Sequence, residues 1–227
     1  MTRTHRLIAG TLVAASLALP LAADAAQGLG FYVGAQAGYS EIGLSQSDWD
    51  AAALAGFSAV GGTLTSSSLD KSGTPWGVNA GFQLMRFFAI EGAYYDIGKA
   101  KAHAEGTVPV GNATAPLAVS GEFQSSGPAL AVMGILPLGP LSIDARVGAY
   151  YGRTEANFSA TANGVGSSTS ASKSAATAMA GVGVAYIFND YWSLRLDYLY
   201  FDKVGDENTT GRANVNVATL GVRFHFL

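Results

Sequence analysis

Cysteine is absent from the 227-residue chain, which excludes a disulfide framework, a thiol nucleophile and a thiolate-bound metal. Charge is sparse: Asp, Glu, Lys and Arg are 13% of residues, and the formal net charge is −3 at pH 7. There is no basic stripe of the kind that holds nucleic acid. Histidines number three, and no cluster of His and carboxylate residues has the spacing of metal ligands. Long apolar runs are also missing beyond the N-terminus, since 128–141 is interrupted by Pro128, Pro137 and Pro140, which a spanning helix would not tolerate. Any membrane insertion after export must therefore use strands.

What the chain does have begins with a leader. Arg3 and Arg6 precede an apolar stretch from Leu7 to Leu21, and Ala23-Asp24-Ala25 fits a small-x-small cleavage site. A stretch of about 15 residues ending at Pro20 is short for a bilayer span of roughly 20. The expectation is a signal peptide over 1–25, cut after Ala25 or Ala26, with one domain over 26–227.

The second feature is alternation. Leu220, Val222, Phe224 and Phe226 are large and apolar, while Thr219, Gly221, Arg223 and His225 fall on the opposite face. The same pattern recurs in Phe31–Ser40, Trp76–Leu84, Phe88–Tyr95, about Ser126–Leu136, Leu141–Tyr150, Ala178–Tyr186 and Trp192–Phe201, making eight strands. Short turns near 85–87, 136–140 and 189–190 alternate with long connections at 42–74, 104–121, 156–174 and 205–213. These connections are rich in small polar residues and are expected to be loops, with a short helix near Asp48–Phe57 capped at Ser47-Asp48. Aromatics collect at the strand ends: Phe31, Phe88, Phe188, Trp192 and Phe226 at one, Tyr39, Trp76, Tyr94, Tyr151 and Tyr200 at the other. The fold class expected is all-β, an eight-stranded antiparallel transmembrane barrel with short periplasmic turns and long extracellular loops. A lipocalin-like cup would hide its apolar face inside, whereas here the charges share a face with glycine.

Glu91, Asp144, Arg146, Arg195, Asp197 and Arg223 fall on the inward face near the short turns. Three acids and three bases can neutralise one another, and buried charges are normally paired, so they should form a belt that plugs the lumen. Inward glycines at 34, 38, 81, 148, 181, 183 and 221 make room where the wall curves. Gly181-Val182-Gly183 lies inside a strand and is no dinucleotide loop, so no cofactor is expected. His103 is the one histidine near the outer rim, and a solvated strand tip explains it better than acyl-transfer catalysis. The loops hold few aromatic or Arg anchors beyond Trp49, Phe57, Phe123 and Phe158, so no binding hot spot is legible in them. Lys99, Lys101, Arg153, Lys173 and Lys203 are placed to meet lipopolysaccharide phosphates.

In Phe31–Ser40, Ile90–Tyr95, Gly127–Pro137, Ile143–Gly148, Leu194–Tyr198 and Leu220–Phe226 the chain resembles the OmpA-like outer-membrane barrel domain over nearly all of its mature length. The resemblance implies a Gram-negative-type outer membrane, with lipid and lipopolysaccharide as surroundings and periplasmic chaperones and the barrel-assembly machinery as partners. It also implies that the terminal strand, with Val222, Phe224 and Phe226, serves as an assembly signal. The peptidoglycan-binding domain that many members carry is not expected in a chain ending just after Phe226. Some members are thought to conduct by exchanging salt-bridge partners around a strand-three carboxylate and a strand-seven arginine, the positions of Glu91 and Arg195. Met133 and Ala185 stand where such a network would carry a lysine and a second glutamate, so a closed or barely leaking barrel is expected. The functional reading is a structural, non-enzymatic barrel. The alternatives are an adhesin or surface receptor acting on a host or cell-surface ligand through its loops, then a small ion channel.

Overall fold

The computed structural model describes residues 30–226, so the expected signal peptide at 1–25 lies outside the described residues. Ten strands and one helix follow in the order β1 (Gly30–Ile42), α1 (Gln46–Ala59), β2 (Thr63–Asp70), β3 (Ser72–Gly73), β4 (Trp76–Met85), β5 (Phe88–Val110), β6 (Ala113–Leu138), β7 (Leu141–Ala162), β8 (Val165–Ile187), β9 (Trp192–Asp206) and β10 (Gly211–His225). Eight of them, β1 and β4 to β10, pair antiparallel with their neighbours, and β1 closes the ring on β10 from Tyr32↔His225 to Ile42↔Val215. Alternation decides the two faces: Val33, Val78, Ile90, Val132, Val147, Val182, Leu196 and Val222 stand exposed on the outside, while the residues between them turn inward. Closure leaves no unpaired edge within the ring.

The turns at one end are tight. Asn189 accepts from the backbone N–H of both Tyr191 and Trp192 at 2.9 Å through its side-chain oxygen, an Asx turn that starts β9. At the other end two of the expected long loops prove to be strands. The segment 104–121 belongs to the β5–β6 hairpin, paired up to Val110↔Ala113, and 156–174 to the β7–β8 hairpin, paired up to Ala162↔Val165. Ser, Thr and Ala give such segments little hydrophobic contrast, but backbone pairing continues along them without a break. The segment 205–213 likewise shrinks to a turn between Asp206 and Gly211. There Thr209 and Asn208 donate to Asp206 and, led by the Thr209 hydroxyl, hold its carboxyl below the usual range.

The first long connection folds back on this extension. Its helix runs from Gln46 to Ala59, starting slightly earlier than expected, because Ser45 and not Ser47 caps it by accepting from the Asp48 N–H at 3.3 Å. Ala53 and Phe57, one turn apart, bury against Ala104 with Trp49, Leu64, Leu117 and Val119 around them. The Phe57 ring lies where a side chain at Gly106 would stand. Strand β2 pairs with β5 from Thr63↔Thr107 to Asp70↔Lys101, beyond Trp76↔Asp96 where β4 leaves it. A five-stranded sheet, β2-β5-β6-β7-β8, therefore rises out of one side of the barrel.

Candidate functional site: the filled lumen

Six inward charges meet in one layer. Glu91 comes from β5, Asp144 and Arg146 from β7, Arg195 and Asp197 from β9 and Arg223 from β10, all buried. Arg146 is the hub: its Nη1 donates to Glu91 Oε1 at 2.9 Å, and its Nη2 to Asp197 Oδ1 at 2.7 Å and Asp144 Oδ1 at 3.3 Å. Arg195 donates through Nη2 to Asp144 Oδ1 at 2.8 Å and to Asp197 Oδ1 at 2.6 Å. It reaches Glu91 only at 3.7 Å. Arg223 donates to Glu91 Oε2 at 2.9 Å, and its guanidinium lies 3.8 Å from the centre of the Tyr32 ring. Charge-assisted bonds of this kind are stronger than neutral ones, and they are desolvated here.

Two neutral partners complete the layer. Tyr32 donates its hydroxyl to Glu91 Oε2 at 3.0 Å, and Asn79 donates Nδ2 to the same oxygen at 2.7 Å. Reading the sequence for charge alone missed both residues, although each sits on the inward parity of its strand. Met133, from β6, lies under the Tyr32 hydroxyl with its sulfur 3.5 Å away. The remaining strand, β8, contributes by having no side chain. A Cβ on Gly183 would overlap the Asp197 carboxylate and stand 3.1 Å from Arg195 Nη2, and one on Gly181 would stand 3.3 Å from Arg146 Cγ. Likewise a Cβ on Gly81 would collide with the Tyr32 ring, and one on Gly34 would press on Asn79. The inward glycines are thus the complement of the polar layer.

Above this layer the lumen turns apolar, which the expectation of a polar interior did not include. Tyr95, Ile97, Tyr150, Met179, Leu199, Phe201, Val215 and Val217 form a buried cluster. Phe201 stands edge-on to both Tyr150, at 5.1 Å between centroids, and Tyr95, at 5.8 Å. Leu199 and Phe201 share the inward parity of Arg195 and Asp197, so β9 alone writes both layers in one alternation.

The extension carries its own arrangement. At the Asp96/Lys99 bulge in β5, Gly98 adopts φ +88 and its N–H is held by Asp96 Oδ1 at 2.9 Å. Inward parity switches there from Tyr95 and Ile97 to Ala100 and Ala104, so Lys99, Lys101, His103 and Glu105 all face outward. His103 Nδ1 lies 2.9 Å from Ser120 Oγ on β6 and its Nε2 3.0 Å from Glu105. The His103 and Glu105 side chains are 45% and 59% exposed, on an open sheet face. Of the expected phosphate-facing cations, Lys99 is paired with Glu122 at 3.0 Å and Arg153 with Glu155 at 3.0 Å. The aromatic anchors are corrected too: Phe57 and Phe123 are buried in the cores of the extension and lumen, leaving Phe158 exposed. At the short-turn end Val222 and Phe226 are exposed, and Phe224 packs against Trp192 and Phe226 at 5.0 Å each.

Among solved structures the chain is similar to Ail, the attachment invasion locus protein of Yersinia pestis, at 12% identity and TM-score 0.42 over 86% of this chain and 98% of that one. It is also similar to Neisserial surface protein A, at 15% identity and TM-score 0.43 over 88% and 100% of the two chains. A third is the outer membrane protein OprG of Pseudomonas aeruginosa, at 10% identity and TM-score 0.48 over 87% and 96%. No curated protein matches the sequence. The OmpA-like transmembrane domain matches residues 26–227, and with the closed eight-stranded ring and its lipid-type outer face this places the protein in the OmpA-like family of Gram-negative outer-membrane β-barrels.

Proposed function

We infer that the protein is a structural barrel of the outer membrane whose lumen is closed to ions. The observation that carries this reading is the filling of the lumen by two successive layers. The lower is a neutral set of three acids and three arginines in mutual contact, and the upper is the aromatic and aliphatic cluster around Phe201. An ion would have to part charges that compensate one another in a low dielectric and then cross an apolar plug. The polar layer is also an interstrand tie, since Arg146 alone joins β7 to β5 and β9. The direct Glu91–Arg195 approach is the longest contact of the network, which fits a locked arrangement better than one that exchanges partners.

The protein is read as non-enzymatic. The His103–Ser120–Glu105 row is hydrogen bonded but open to water, without the enclosed polar environment that makes a serine a good nucleophile. Val222, Phe224 and Phe226 are read as the signal for the assembly machinery, presented on the lipid-facing side of the terminal strand. A second reading, a surface receptor or adhesin, is favoured by the five-stranded sheet that stands outside the membrane.

Closure can be tested with thiol labelling, because the native chain has no cysteine. Met133→Cys, at a fully buried position beneath Tyr32, should resist a small charged maleimide added from either side of a proteoliposome. Ser159→Cys, on the exposed face of β7, should react at once. Labelling of position 133 in the folded barrel at a rate near that of 159 would mean an open, hydrated lumen.

A further inference from the structure

Strand β8 is paired on both sides only within the barrel. From Met179 to Ile187 it lies between β7 and β9, whereas from Val165 to Ala178 its ladder runs with β7 alone. Between Asn163 and Ser174 every residue is exposed except Ala171, which is half-buried. Asn163 and Gly164, with φ 48 and 78, make a two-residue hairpin turn, so Ala162 and Val165 are its hydrogen-bonded closing pair. Ladder alternation then turns the N–H and C=O of the even-numbered residues of this segment outward, away from β7.

The opposite edge of the same sheet is guarded in the ways edges usually are. Strand β2 is short, carries a bulge between Leu64 and Ser66, ends in Asp70 and has α1 packed beside it. The β8 edge has no proline and no bulge, and Lys173 is the single charge between Val165 and Ala178. An unguarded row of backbone donors and acceptors is satisfied by another extended backbone.

We propose that this backbone is the same segment of a second copy, and that β8 edges from two apposed outer membranes pair antiparallel as a homotypic adhesion contact. Orientation selects the apposed arrangement. Copies in one membrane run their β8 strands in the same direction, and the two-fold axis along the membrane normal that relates them would set N–H against N–H. Copies facing each other across a gap run antiparallel, with a two-fold axis perpendicular to the sheet, and the ladder forms. The sequence admits that pairing. Centred on Thr169, it sets Thr169 beside its own copy, Ser168 beside Ser170 and Gly166 beside Ser172. Lys173 then falls opposite Val165, which keeps the two lysines at opposite ends. Small side chains allow close approach, and Ser and Thr pairs across strands are favourable. The contact is short, so its strength comes from many copies on each surface.

The inference depends on the extracellular position of the sheet and not on closure of the lumen, so leaky vesicles would leave it standing. The test uses full-length Thr169→Cys, reconstituted with its extension outward into two vesicle populations that carry different dyes. Thr169 would occupy a non-hydrogen-bonded pair with Cα atoms about 4.5 Å apart, within disulfide reach. Mixing should give two-colour clusters and a disulfide-linked dimer that reductant reverses. Ser159→Cys should give no such dimer. Adding Ser170→Pro, which removes an outward N–H and no bond to β7, should abolish both clustering and cross-linking, with circular dichroism confirming an intact barrel. Four results would overturn the proposal: equal cross-linking at 159 and 169, indifference to Ser170→Pro, clusters that need protein on one population only, or clusters that require an added foreign polypeptide.

Discussion

Arg146 holds more of the lumen together than its formal charge suggests, because its guanidinium touches acids on β5, β7 and β9 at once. Replacing it with Met strands Glu91, Asp144 and Asp197 in a buried site with two arginines among them. Removing one partner from a buried ion set costs about 3–5 kcal/mol, and urea unfolding in liposomes should register a loss of that order. A shift under about 1 kcal/mol would mean that the layer is hydrated. Gly183 is the reciprocal case: a methyl there overlaps the Asp197 carboxylate, and overpacking of a filled interior costs about 1–3 kcal/mol. Gly183→Ala should therefore destabilise the barrel although it removes no interaction, whereas Gly134→Ala, on the exposed face of β6 with its nearest neighbour 4.0 Å from the added Cβ, should leave stability unchanged. At this scale the charges were legible in the sequence because parity sorts them onto one face. Tyr32 and Asn79 were not, since neither an aromatic nor an amide on the inward face announces that it will complete a glutamate's hydrogen bonds.

Strands are where the sequence reading was both strongest and most incomplete. Inside the membrane each residue chooses between lipid and lumen, so apolar and polar residues alternate sharply and all eight strands were found. Above the membrane both faces of a strand meet water or a thin cover, and stretches such as Ser167–Ser174 keep their geometry through backbone pairing without hydrophobic contrast. The turn of parity at Gly98 compounds this: a left-handed glycine in a bulge switches which residues face inward, and no periodic pattern continues through it. Amide hydrogen exchange separates the two pictures. The hairpin amides of Arg153–Ala162 should be protected well beyond the rate of free loops, because each strand is held in a ladder. Exchange at loop rates would restore the expectation of unstructured connections. Gly98→Val should lower protection throughout the β5 extension by disfavouring positive φ, while leaving β9 and β10 unchanged.

The whole molecule is a stack of environments along one axis: a charged layer and an apolar layer inside the ring, then a sheet that leaves the membrane with α1 covering the inner face of β2, β5 and β6. Its outer wall has a different demand, set by lipid. Val222 stands on that wall, 46% exposed and beside Ala35 of β1. An arginine on the lipid face costs roughly 2–4 kcal/mol at the midplane and less toward the interface, so Val222→Arg should fold less well into liposomes, and unimpaired folding would contradict the assigned lipid face. Sequence alone could define this outer surface, because lipid makes one uniform demand on every strand. The division of the interior into two layers depends on how the strands are sheared against one another, which brings Glu91 of β5 to Arg223 of β10 and is set by the closed register. The measurement that bears most directly on the closed structural barrel is single-channel conductance of the refolded protein in a planar bilayer, alongside its Arg146→Ala and Glu91→Ala variants. Silence is expected from the native barrel once insertion is demonstrated, and from both variants as well, since the apolar layer around Phe201 still blocks the lumen when the charged layer is broken. Discrete native openings that either substitution alters would contradict a closed lumen and make the charge layer an ion gate.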